Sequence, residues 1–146
     1  MNVPGFDRAE HGASQRDIEG AERLLGVRFP ESYSEVLALY AGSYGDAVYE
    51  FSGSGAGGSV GCWLSLSPWD TESLWTALSS WAEHGLPRSV VPFAADGGGN
   101  YICLDYRNTG APVVSAWFHE LPGENGLTRV APSFEAFLAI LRPHEG

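Results

Sequence analysis

The sequence predicts an α+β domain with a mainly antiparallel β-sheet packed with about four helices. Three observations lead to that class. Helical apolar stripes stand at the start, in the middle and at the end, so helices and strands do not alternate as βαβ units. The runs between the stripes are short and extended in character, and two of them alternate in pattern from residue to residue. No linker or repeat divides the 146 residues, so a single domain over 1–146 is expected.

The first helix is announced by Ser14 with Asp17, the form of a capping box. Ile18, Ala21, Leu24 and Leu25 then share a face, and Gly26 suits the left-handed stop. A second helix follows Pro30, with Tyr33, Val36, Leu37 and Tyr40 spaced i, i+3, i+4, i+7, and it stops at Gly42. For the third, Ser67 reads as N-cap and Pro68 as first helical residue. Leu74, Leu78, Trp81 and Ala82 form its buried stripe, and it ends before Gly85. The fourth starts at Ser133 and aligns Phe134, Phe137, Leu138 and Leu141. Strands are expected over 47–51, 60–66, 90–94, 100–106, 113–120 and near Arg129, with 52–59 as a glycine-rich hairpin loop.

Charge narrows the function. The chain carries 18 acidic against 8 basic side chains, a net charge of -10, and no lysine. Binding nucleic acid requires cations to neutralise phosphates, so direct nucleic-acid binding is excluded. The electrostatic complement of such a chain is a basic protein, unless the acidity serves only solubility. No apolar run approaches the ~20 residues that span a bilayer, and the opening residues lack a signal-peptide core, so a cytoplasmic address is expected. Cys62 and Cys103 are too far apart for a CxxC site and read as small buried thiols.

The most pointed phrase is PFAADGGGNYICLD, residues 92–105. A dinucleotide fingerprint fails here, because Ile102 stands where its last glycine should be and a strand follows. A phosphate-binding loop fails for want of lysine, and a calcium loop for want of acidic ligands after Asp96. What remains is the turn of a hairpin. Gly57 to Gly61 spell G-x-S-x-G around Ser59, with Asp105 and His119 following in triad order. The next residues alternate like a strand, whereas a nucleophile elbow leads into a helix. No enzyme activity, metal or cofactor is expected, since His119-Glu120 lacks a second histidine and the remaining histidines have no ligand spacing.

One pattern bears on recognition. In 100–106, Ile102 and Leu104 share one face while Tyr101, Cys103 and Asp105 share the other. In 113–120, Val114, Ala116 and Phe118 alternate with Ser115, Trp117 and His119. If these strands are neighbours, Tyr101, Asp105, Trp117 and His119 lie together. Either helices cover that face and Trp117 is core, or the face is an aromatic and acidic recognition patch. On the second reading the partner-binding residues are Asp96, Tyr101, Asp105, Trp117, His119 and Glu120.

These blocks together resemble a known family. Leu25-Gly26-Val27-Arg28-Phe29-Pro30-Glu31-Ser32-Tyr33, with Leu37 and Ala41-Gly42, resembles the N-terminal signature of the SUKH superfamily, bacterial immunity proteins related to yeast cell-wall assembly regulators. Val91-Pro92-Phe93-Ala94, Gly99-Asn100-Tyr101 and Cys103-Leu104-Asp105 are similar to its central hairpin. Pro112-Val113-Val114 through Glu120 resembles its next strand, and Ser133 to Leu138 its closing helix. The resemblance implies a non-enzymatic cytoplasmic binder that neutralises a cognate toxin, often a nuclease. The alternative is a regulatory scaffold for an endogenous protein, as for the yeast relatives.

Overall fold

The capping signals at the start of the chain act as their chemistry requires. In the computed structural model, which describes residues 1–50, 57–108, 110–121 and 123–144, helix α1 spans Gln15–Leu25. Ser14 Oγ accepts from the Asp17 amide while the Asp17 carboxylate accepts from the Ser14 amide, and Gly26 closes the helix at φ 68°. Ile18 and Ala21 are buried, but Leu24 is 78% exposed, a departure from the expected stripe. Helix α2, Glu31–Tyr40, buries Tyr33, Val36, Leu37 and Tyr40, all four of the expected residues.

The strands β1 (Tyr44–Glu50), β2 (Gly57–Trp63), β3 (Val90–Ala95), β4 (Tyr101–Asp105), β5 (Val113–Trp117) and β6 (Leu127–Ala131) follow one another across the sheet as an antiparallel meander. A short β7, Arg142–Pro143, returns to pair with β1, giving seven strands among the described residues in the order β6-β5-β4-β3-β2-β1-β7. The chain is thus α+β with an antiparallel sheet, as its sequence pattern indicated. Pro92 has no ladder N–H to give, and the β3–β4 register shifts between Pro92 and Ala94, the irregularity that lets a proline sit inside a sheet. Of the expected 52–59 loop, residues 52–56 lie outside the described residues, and 57–59 open β2.

The third helix differs from its sequence signal. Ser67 and Pro68 form a turn, closed by the Asp70 amide donating to Ser67 O, instead of a helix start. Serine followed by proline suits both structures, because proline presets φ for position i+1 of a turn as well as for the first helical residue. Ser73 is the true N-cap, accepting from the Thr76 amide, and two short helices follow, α3 (Leu74–Ala77) and α4 (Ser79–Glu83). They meet at Leu78, just before Ser79-Ser80, a pair that weakens helices by competing for backbone partners. Ala82, expected in the buried stripe, is exposed. Helix α5, Phe134–Ile140, is capped by Ser133 and buries Phe134 and Phe137.

The alternation of the strands divides the interior into layers. Ile102, Leu104, Val114 and Ala116 join Phe93, Trp63 and the buried faces of α1, α2 and α5 in the main core. Cys103 and Trp117 point the other way, into a second cluster with Leu86 and Val90, against which Trp81 and Tyr101 pack. Both sheet faces are therefore covered in this region.

Candidate functional site

The triple glycine turns the β3–β4 hairpin. Gly97 and Gly99 adopt φ of 85° and 93°, a region closed to most side chains. Asp96 organises the turn: one carboxylate oxygen accepts from the amides of Gly98 (2.7 Å) and Asn100 (3.1 Å), the other from Asn100 Nδ2 (2.9 Å). Asn100 Oδ1 in turn accepts from the His119 amide (3.0 Å) and lies 2.8 Å from His119 Nδ1, which must carry the proton to donate there. The His119 ring lies against Gly99, so the end of β5 is clamped onto the hairpin tip. Asn100 is the hub of this network, and the sequence reading did not assign it.

Behind the turn the strands are in the register that the alternation requires. Tyr101 stands directly opposite Trp117, and their rings are stacked at 6.1 Å between centroids. Trp117 is 1% exposed, also touched by His84 at 5.7 Å, with its indole Nε1 unpartnered among the described residues. Of the two readings of this face, the one in which Trp117 belongs to the core therefore holds at this position. Helix α4 and the segment after it, with Trp81 hydrogen-bonded to Val90 O and Leu86 buried, form the lid that makes Trp117 core.

Asp105 is likewise turned inward. It is 5% exposed, and Arg107 grips it with Nε at 3.0 and 3.1 Å and Nη2 at 2.7 Å, while Ser115 Oγ donates at 3.1 Å. Burial would raise its pKa, but the Arg107 hydrogen bonds and charge, with Ser115, hold the carboxyl below its ordinary value. Asp105 is thus an internal anion fixed by its own arginine. Of the six residues expected to bind a partner, Asp96, Tyr101, His119 and Glu120 reach the surface in whole or part, Trp117 lies stacked beneath Tyr101, and Asp105 is buried at the other end of β4.

The triad order Ser59, Asp105, His119 does not assemble as a relay. Ser59 lies inside β2, paired with Val48 of β1, and no helix follows it. Asp105 is committed to Arg107 and Ser115, and the His119 ring to Asn100. Both cysteines are buried thiols, and burial, with a contribution from Glu72, pushes Cys62 up to about 11. Among the described residues, no group of three or more His, Cys, Asp or Glu side chains could hold a metal ion. Nor is any of their helices long and apolar enough to cross a membrane.

Two further surface features went unread in the sequence. A cleft of about 940 Å³ is walled by Leu25 to Glu31, Tyr106 and Phe134, with Arg28 and Arg88 on its lining. On the 65–73 segment Trp69 is 92% exposed, with Leu24 and Tyr44 (68%) also largely exposed. No periodic signal marks Trp69, because a residue at a turn tip belongs to no stripe.

The family model of the SMI1 / KNR4 family (SUKH-1) matches residues 12–140, from the residues before the first cap to the end of α5. A curated relative from Bacillus subtilis (strain 168), the SPbeta prophage-derived uncharacterized protein YokK, is 24% identical over 156 residues, covering 88% of this chain and 74% of its own length. A crystal structure of a protein from Pseudomonas syringae pv. tomato is similar at a TM-score of 0.49 and 16% identity, over 88% of this chain and 76% of the other. The signature at 25–42, the glycine hairpin, the β5 strand and the Ser133-capped helix all fall inside the matched span, and the chain belongs to the SMI1/KNR4 (SUKH-1) family.

Proposed function

We propose that this chain is a non-enzymatic cytoplasmic immunity protein that binds and neutralises a cognate toxin, one with a basic, nuclease-type substrate cleft. The observation that carries this reading is the charge: a family member with a net charge of -10 and no lysine is an electrostatic mimic of a polyanion. Long-range attraction speeds encounter with a basic cleft, and occupying that cleft blocks it without touching catalytic groups. The exposed hairpin rim, with Asp96, Tyr101, His119 and Glu120, supports the reading as a rigid contact element. Its backbone is held by the Asp96–Asn100–His119 network, so little ordering entropy is lost on binding.

The test is to clone the adjacent gene, express it with and without this protein, and titrate the purified protein into a nuclease assay of that gene's product. Rescue of growth and stoichiometric inhibition are expected, with association slowing as salt rises. Growth arrest unaffected by co-expression would sink the proposal.

A further inference from the structure

The Ser67–Asp70 turn presents its tryptophan in an unusual way. Pro68 occupies the second position of the turn and restricts the backbone, and the Asp70 carboxylate accepts from Ser65 Oγ at 2.6 Å while the Ser67 amide donates to that hydroxyl at 2.9 Å. The flanking backbone is tied down as well, with the Ser65 amide donating to Glu72 O and the Leu74 amide to Ser65 O. Trp69 is thus 92% exposed on a braced turn, not on a loose end. Exposing a whole indole to water is costly, and tryptophan is the residue most enriched at binding hot spots.

An apolar groove lies beside it. Leu24, Leu66, Pro68 and Trp75 line a depression of about 390 Å³ between α1 and the turn, and the exposed face of Leu24 extends it. Trp75 is immobilised, its Nε1 donating to Leu66 O at 2.8 Å. The charged rim decides what fits. Asp17 borders the groove and, with Glu10 and Asp70, an adjoining pocket. Among the described residues, Arg16 is the one cation lining either of them, and His11 is the other titratable group there. Tyr44 is also exposed.

We infer that the Trp69 turn and the Leu24–Leu66–Pro68–Trp75 groove form the anchoring half of the toxin interface, seating an apolar side chain from an arginine- or lysine-bearing segment of that protein. The inference rests on the toxin-binding reading and locates where the partner is held. Trp69 and Leu24 supply the apolar contact, and Glu10, Asp17 and Asp70 meet the flanking cations.

The test uses the full chain and the purified product of the adjacent gene as the candidate toxin, with binding kinetics measured at two salt concentrations. Trp69→Ala and Leu24→Ser are expected to keep the wild-type melting temperature, since neither side chain is buried. Trp69→Ala should weaken binding about thirty-fold or more, chiefly through faster dissociation. The pair Glu10→Gln with Asp70→Asn should slow association several-fold at low salt and flatten its salt dependence. Wild-type protein that fails to bind the toxin would overturn the toxin-binding reading and this inference with it. Tight wild-type binding left unchanged by Trp69→Ala and Leu24→Ser, but weakened by Glu120→Gln, would overturn the inference alone and leave the contact at the hairpin rim. A concentration-dependent dimer in sedimentation that Trp69→Ala abolishes would assign the face to a second copy of the chain and also overturn it.

Discussion

On the hairpin face, Trp117 lies stacked against Tyr101 under a lid of α4, and the carboxylates of Asp96 and Asp105 are taken up by their own turn and by Arg107. On the 65–73 segment, Trp69 faces solvent, and Glu10, Asp17 and Asp70 rim open pockets. Both regions combine aromatics with acids, yet the tryptophan of the first is covered and that of the second is open to solvent. Residue type alone therefore does not identify a binding surface. Coverage by a distant part of the chain does.

The comparison breaks most easily at Trp117. Trp117→Ala should cost about 3–5 kcal/mol by emptying the second core, a fall in melting temperature on the order of 10 °C. Trp117→Phe keeps a ring against Tyr101 and removes the unpartnered indole N–H, so about 1–2 kcal/mol is expected. Calorimetry on the two variants checks this, and an unchanged melting temperature in Trp117→Ala would place the residue outside the core.

The next effect concerns Asp105. Arg107→Met leaves a buried carboxylate with only Ser115 and the residue-107 amide, at a cost of about 2–3 kcal/mol, discounted because the Arg107 side chain is 35% exposed. The sign with pH follows from the depressed pKa of Asp105. Its contribution is present above the unfolded value of about 4 and is lost as pH falls through the lower folded value. Urea denaturation should therefore show a large wild-type to variant gap at pH 7 that closes toward pH 3. A gap independent of pH would mean that Arg107 acts through packing instead of charge.

Smaller again is Asp96→Ala, which strips three hydrogen bonds from a surface turn and should cost about 1–2 kcal/mol. Amide exchange at Gly98 and Asn100 should accelerate with it. Asp96→Asn retains a side-chain acceptor and should recover part of the loss, which separates turn geometry from charge.

The parts of this picture legible in the sequence are those set by local chemistry. Period-two alternation placed Tyr101 and Trp117 on one face, and the register then set them directly opposite each other. Ser14, Gly26 and Ser133 marked helix ends because a cap needs only its own neighbours. What stayed hidden depends on remote or ambiguous contacts. The lid over Trp117 arises from Trp81 and Leu86, far along the chain, and no local pattern reports it. Ser67-Pro68 could open a helix or a turn, and the Ser65 bonds to Glu72 and Leu74 select the turn. That choice frees Trp69, which a helix beginning at Pro68 would have placed in its first turn. Leu24 shared an apolar stripe broader than the area α1 covers, so the stripe overstated its burial.

The smallest effect is the most informative about the outward-facing region. Trp69→Ala should change stability by no more than about 0.5 kcal/mol, because the side chain is almost wholly solvated and its turn is held by Ser65, Ser67 and Asp70 without it. The same substitution type thus spans two extremes within one chain, large at Trp117 and near zero at Trp69. Intrinsic fluorescence offers a direct check, since a solvated indole emits at longer wavelength than a buried one and is open to quenching. Trp69→Ala should remove the most iodide-accessible part of the signal, while the four remaining tryptophans keep the protected part. A substantial loss of stability in Trp69→Ala, or an accessible component that survives it, would show that the indole packs against the fold. The contrast between the two regions would then collapse. An indole that is both accessible and dispensable for folding is open to contact outside the molecule, as the proposed interface requires.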